Sequence, residues 1–159
     1  MILGWLRPGW IDEGRGLAQE RAFRRLLDGH AFRGSCLNAG CGEGLYAGFL
    51  ESFSELGEIM NMDLQRPGFV ATRADRRHRA EAGSLTSLPF ERARFDCCLC
   101  SEVLEHIDDD RTAVVELARV LKPGGWLLVS VPHPPAPHDP AHVREGYTLP
   151  ALRALLVAH

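Results

Sequence analysis

The sequence predicts an α/β protein: a doubly wound parallel sheet with helices on both faces. Three observations carry this. Short apolar runs alternate with helical patterns along the chain. One such run passes directly into a glycine-rich turn, "CLNAGCGEG". Another, "RFDCCLCS", reads as a strand buried within the sheet.

Taken in order, residues 11–29 read as an amphipathic helix, with Leu17, Ala18, Arg21, Ala22, Leu26 and Leu27 near one face and Gly29 as a stop. "GSCLNAG" is the first strand of the sheet. A helix from Leu45 follows, with Leu45, Phe49 and Leu50 on its apolar side. "EIMNMDL", 58–64, is the second strand. The basic segment 66–79 reads as a solvated face, and "RAEAGSL" holds a short third strand. Residues 94–101 form the fourth strand. "EVLEHI" supplies one or two helical turns, and "DRTAVVELARVL" a longer helix with Val114, Leu117, Ala118 and Leu121 on one face. "KPGG" is a tight turn. "WLLVSVP" is the fifth strand, ended by Pro132. A proline-rich loop with three histidines leads to a last helix, "LPALRALLVAH", whose Pro150 fits its first turn.

At 159 residues the chain is long enough for one domain with a real core, and one domain over 1–159 is expected. Its parts are an N-terminal region 1–30, a core 35–132 and a final loop and helix 133–159. The net charge of −3 gives neither a nucleic-acid footprint nor a polybasic membrane patch. No apolar run reaches the roughly 18 residues of a membrane span. "MILGWLRPGW" lacks a basic leader and a cleavage site, so no signal peptide is expected. The five cysteines, Cys36, Cys41, Cys97, Cys98 and Cys100, are odd in number and clustered, which points to a reducing cytoplasm. "CCLC" lacks zinc-ligand spacing, and no metal site is expected.

Chemistry concentrates at the glycine loop. Gly40, Gly42 and Gly44 permit positive φ and let a ligand approach the backbone without a Cβ in the way. The following helix start adds free N–H groups suited to an anion. Asp63 ends the second strand, 23 positions after Gly40. That spacing suits a carboxylate that accepts from two ribose hydroxyls, so an adenosine-type ligand is expected. A dinucleotide fingerprint would need glycine where Leu45 stands, which disfavours a nicotinamide dehydrogenase.

Several motifs occur in register. "LNAGCGEG", "NMDL", "GSLTSLPF", "RFDCCLCSEVLEHIDD" and "LARVLKPGGWLLVSVP" resemble, in order, the motifs of class I S-adenosylmethionine-dependent methyltransferases. The likeness is to the group similar to the ubiquinone and menaquinone biosynthesis enzymes. It covers residues 35 to 132, and "DPAHVREGYTLPALRALL" resembles the loop and helix that follow. The resemblance implies a Rossmann-like sheet of about five strands in the order 3-2-1-4-5, with S-adenosylmethionine as cofactor. It implies cofactor contacts from the first motif (Asn38, Gly40, Cys41, Gly42 and Gly44), the glycines passing under the methionine moiety. Asp63 would take the ribose hydroxyls and Leu64 would lie on the adenine. Ser84 and Leu85 would flank the adenine edge, and Ser101 would sit near the sulfonium.

Asn38 and Ser84 stand where the family often has Asp, and both retain an accepting oxygen. The family adds two antiparallel strands after the last helix, for which no sequence remains here. This predicts a truncated form, or a fifth strand whose open edge is covered by a second copy or another subunit. The function implied is methyl transfer to a small-molecule acceptor by direct displacement; the alternative is a non-catalytic cofactor-binding or partner subunit on the same fold. A general base is needed only if the acceptor must lose a proton. Candidates are His106, His133, His138 and His142, each with a plain structural role as its alternative. Asp139 with His138 and His142 lacks a fourth metal ligand. Glu102 and Glu105 are placed at the mouth of the site, and Trp5 and Trp10 in an N-terminal lid or an aromatic pair on the sheet edge.

Overall fold

The computed structural model describes residues 2–3, 13–28, 32–135 and 139–157. Its strands are β1 (Ile2–Leu3), β2 (Gly34–Ala39), β3 (Leu56–Asp63), β4 (His78–Ala82), β5 (Phe95–Ser101) and β6 (Leu121–Ser130). Its helices are α1 (Glu13–Leu26), α2 (Ala47–Glu51), α3 (Asp110–Val120) and α4 (Leu149–Val157). Every strand pairing is parallel, in the order β1-β6-β5-β2-β3-β4. The five longer strands, β2 to β6, thus run 3-2-1-4-5, as expected. β2 lies between β3 and β5, so the strand order reverses beside it. Their carboxyl ends open there onto the crevice where such sheets take ligands.

The expected open edge is partly occupied. Ile2 and Leu3 pair in parallel with Leu128 and Val129 of β6. The chain itself therefore covers part of the edge that was expected to need a second subunit.

Two apolar layers sandwich the sheet. On one face α1 and α2 pack Phe23, Leu27, Phe49 and Leu50 over Cys36, Ile59, Cys97 and Leu99. On the other, α3 and α4 pack Val114, Leu117, Leu152 and Leu156 over Leu37, Met62, Cys98 and Cys100. Cys97 and Cys98 thus point to opposite faces, and all five cysteines are free and buried.

Several expected helix faces shift. In α1 the buried row is Gln19, Phe23 and Leu27, spaced by four; Leu17, Ala18 and Arg21 are exposed. Gly29 lies outside the described residues. In α2 Leu45 precedes the helix and is exposed, while Phe49 and Leu50 are buried. A five-residue helix is not self-supporting, and its N-cap Tyr46 makes no side-chain cap. It is held by burial: Phe49 meets Phe23 at 5.7 Å and Phe53 edge-on at 5.1 Å. Such aromatic pairs contribute roughly 0.5–1.5 kcal/mol each beyond area. In α3 Val114 and Leu117 are buried as expected, but Ala118 is exposed. "KPGG" does not precede β6 but interrupts it. Leu121 pairs with Phe95, and pairing resumes at Trp126 with Cys97, the intervening residues bulging with Gly124 at φ 77°. The basic segment is not wholly solvated either. Arg73 and Arg77 pair with Glu51 and Asp75, and His78 is buried.

Candidate functional site

The loop after β2 is built by its glycines. Gly40, Gly42 and Gly44 have φ of 67°, 49° and 87°. A Cβ on Gly40 would come within 2.5 Å of the Val103 side chain, and one on Gly44 within 2.8 Å of the Phe69 ring. At Gly42 a Cβ would meet nothing within 4 Å, so this part of the loop borders open space. The Gly40 and Cys41 N–H groups donate to Met62 O at 2.8 and 3.1 Å, tying the loop to the end of β3. Because α2 starts only at Ala47 and is five residues long, the expected helix-terminus charge gives way to loop N–H groups. Burial, then the charges of Asp63 and Glu43, push the Cys41 thiol up to about 12. It stays neutral at physiological pH.

Asp63 is half-buried at the end of β3. Its carboxylate accepts from Gly42 N–H at 2.8 Å and from Leu64 N–H at 2.7 Å. These two bonds aim the carboxylate across the loop. Leu64 beside it is 77% exposed, an unusual state for leucine and a ready apolar shelf. Gly83 N–H donates to Asp63 O at 2.8 Å, which brings the Ser84 turn to the same cleft. Ser84 Oγ lies 2.8 Å from Thr86 Oγ1. The Leu85 side chain is buried in the core, so it offers no surface to a ligand. Asn38 departs similarly: it is buried, and its Nδ2 donates to Asn61 Oδ1 at 3.0 Å within the sheet layer.

At the neighbouring strand ends lies a polar network that sequence reasoning had only begun to see. Ser101 Oγ is 2.6 Å from Ser130 Oγ, which lies 3.1 Å from Glu102 Oε1. Gln19 of α1 donates to the same Glu102 oxygen at 3.1 Å, and the Tyr46 hydroxyl donates to Gln19. Glu102 holds φ at 56°, a left-handed conformation that non-glycine residues rarely adopt. Such strain persists where surrounding contacts fix it, often at functional sites. Gln19, Tyr46 and Ser130 were missed. The four-residue row shared with Phe23 and Leu27 is the signal that marks Gln19 as facing inward.

The histidines divide. His138 lies outside the described residues, as do Trp5 and Trp10. His133 is half-buried just after β6. His106 and His142 come together, ring centroids 4.6 Å apart and nearly perpendicular. His106 Nδ1 is 3.0 Å from Ala141 O, and His142 Nε2 is 3.7 Å from Asp139 Oδ2. With the fully buried Glu105 they offer three ligand atoms within 4.8 Å of one another, a set able to hold a cation. This set shares only His142 with the group Asp139, His138 and His142 that was set aside for want of a fourth ligand. Arg144 pins this loop, donating to Leu104 O and Ile107 O at 2.7 Å each.

Comparisons with known proteins bear on the family and the fold. Residues 37–129 match the family described as Methyltransferase domain. A probable S-adenosylmethionine-dependent methyltransferase of Mycolicibacterium smegmatis is 32% identical over 87% of this chain and 56% of its own length. A ubiquinone biosynthesis O-methyltransferase of Paracidovorax citrulli is 34% identical over 79% of this chain and 49% of its own. The chain spans about half the length of these relatives. Among solved structures, a Burkholderia thailandensis 1,6-didemethyltoxoflavin-N1-methyltransferase holding S-adenosylhomocysteine superposes with a TM-score of 0.71. It is 28% identical, over 92% of this chain and 67% of that one. Motif order, sheet order and these likenesses lead to one conclusion: the chain belongs to the methyltransferase domain family.

Proposed function

We propose that this chain binds S-adenosylmethionine in the crevice at the ends of β2 and β3 and directs methyl transfer to a small-molecule acceptor. One observation carries the reading. Three left-handed glycines border the same cleft as a carboxylate that two backbone N–H groups already aim. That is a fit for a ligand with a ribose diol beside a slender charged chain. The cofactor supplies an electrophilic methyl group: the acceptor's lone pair forms the new bond to carbon while the carbon–sulfur pair stays with sulfur.

The residues then have distinct tasks. Asp63 accepts from the ribose hydroxyls. Leu64 supports the adenine, and Ser84 meets its edge. Gly40, Cys41, Gly42 and Gly44 present backbone to the methionine moiety. Ser101, Ser130 and Glu102 form a polar floor on the acceptor side. Holding acceptor and methyl in line can supply roughly 7–11 kcal/mol. Where the acceptor carries a proton, His106, His133 and His142 are the described side chains of suitable chemistry. The acidic balance of the chain favours a small acceptor over nucleic acid. Five free cysteines suit a reducing cytoplasm. Among the described residues no helix is long and apolar enough to cross a membrane. One domain over 1–159, with its cofactor-binding core at 35–132, accounts for these features.

Calorimetric titration with S-adenosylmethionine and S-adenosylhomocysteine tests this. Micromolar binding by the wild type is expected, weakened at least tenfold in Asp63→Ala. Folded, monodisperse protein that binds neither overturns the reading. Binding without turnover across an acceptor screen favours the non-catalytic alternative.

A further inference from the structure

Beneath the cleft a line of buried polar groups crosses three strands. Asn38 of β2, Asn61 of β3 and His78 of β4 are each at most 5% exposed. Asn38 lies two residues before Gly40, and Asn61 two before Asp63, so the line lies one side-chain layer below both. Asn38 Nδ2 donates to Asn61 Oδ1 at 3.0 Å. Asn61 Nδ2 faces Ile59 O at 3.2 Å, Arg79 O at 3.1 Å and His78 Nδ1 at 2.9 Å. Asn38 was expected among the cofactor contacts; Asn61 and His78 were assigned no role there.

The two backbone carbonyls settle the orientation of the Asn61 amide, because its oxygen in their place would face two acceptors. The Asn61 nitrogen can therefore only donate; its two hydrogens are shared among three acceptors, of which His78 Nδ1 is the nearest. The ring proton then sits on Nε2, which lies within ion-pair distance of Glu51 Oε1 (3.1 Å) but outside hydrogen-bond geometry. A second ring proton on Nδ1 would point directly at the Asn61 N–H groups, donor against donor.

We infer that His78 is a positioning residue for the cofactor cleft: its neutral ring holds Asn61, and through it Asn38, in register below the glycine loop and Asp63. This rests on the cofactor reading above. The charged groups around the ring come from two directions. Glu51 of α2 and Asp75 of the preceding turn favour its protonation, and Arg73 opposes it. Burial outweighs them and lowers the affinity of His78 for a proton. The sign follows. With the folded value depressed, the neutral arrangement is intact above the ordinary histidine range and is lost as pH falls through the depressed value.

The test is titration of wild type and His78→Gln with S-adenosylhomocysteine at pH 7.5, 6.5, 5.5 and 4.5, a range that reaches well below the ordinary histidine value. Glutamine can accept from Asn61 through Oε1 and extend its amide toward Glu51, with no charge to gain. Wild-type affinity is expected to hold through the ordinary histidine range and to fall only below it, by up to roughly tenfold at the lowest pH, about the effect of one buried hydrogen bond. His78→Gln is expected to bind as wild type does at pH 7.5 and to stay flat. Equal pH dependence in both overturns the inference and leaves the cofactor reading standing. No binding by wild type at pH 7.5 overturns both.

A second readout needs no variant. In ¹⁵N-histidine-labelled wild type, the His78 ring is expected as the Nε2–H tautomer. Its protonation midpoint is expected to drop when ligand is added, because the linkage is reciprocal. An Nδ1–H ring, or a midpoint the ligand does not move, overturns the inference.

Discussion

Gly40 and Gly42 stand two positions apart with similar backbone angles, yet their surroundings set them apart. Both would strain an L-residue by about 1–2 kcal/mol through left-handed φ alone. Only Gly40 also faces a side chain, Val103, that a Cβ would overlap. Gly40→Ala is therefore expected to cost more stability than Gly42→Ala, by roughly 1–3 kcal/mol for the overpacking. Urea unfolding of the two variants checks this; equal losses would show that the Val103 contact relaxes freely. Asp63 and the three glycines were legible from spacing and residue type alone. The inward turn of Asn38 was not, because its partner Asn61 is contributed by a neighbouring strand. The burial of the Leu85 side chain was not legible for a related reason: a motif names a residue, while its side chain follows the core available to it.

At the level of elements, α1 is joined to the strand ends by more than apolar packing. Gln19 accepts from Tyr46 and donates to Glu102, so one helix residue joins the glycine-loop side of the cleft to the acceptor side. Gln19→Leu retains bulk but removes both bonds and leaves Glu102 with one partner fewer. A loss of about 1–3 kcal/mol is expected, together with faster amide exchange across 17–26. Unchanged exchange there would show that Phe23 and Leu27 alone hold the helix. Strand identity was readable because parallel buried strands are apolar on both faces, while their order followed only from the motif resemblance. Helix faces were less so. In α1 the true row contains a glutamine, so hydrophobic periodicity pointed to the wrong side. In α2 tertiary burial of Phe49 and Leu50 set the helix start, and Leu45 was left out. The bulge in β6 could be anticipated as a turn but not as an interruption, since only pairing with β5 shows the strand resuming.

For the molecule as a whole, the sheet sorts its chemistry by end and by face. Ligand-directed groups gather at the carboxyl ends of the strands. At the other end Asp96 ties β5 to Ser35 and Lys122, a structural anchor. The edge that a sequence reading left open is partly closed by Ile2 and Leu3, a contact between distant segments that no local pattern announces. The five cysteines are distributed between the two apolar layers and the cleft, all shielded from solvent. That arrangement makes them a built-in clock for motion. A thiol-reactive dye is expected to read the native protein as nearly silent. Labelling at Cys36 and Cys97 then times the opening of the α1–α2 face, and labelling at Cys98 and Cys100 the α3–α4 face. Cys41, alone among them in the glycine loop, is expected to react first and to slow when S-adenosylhomocysteine is present. Uniform labelling of all five, indifferent to ligand, would show instead that the molecule opens as one unit.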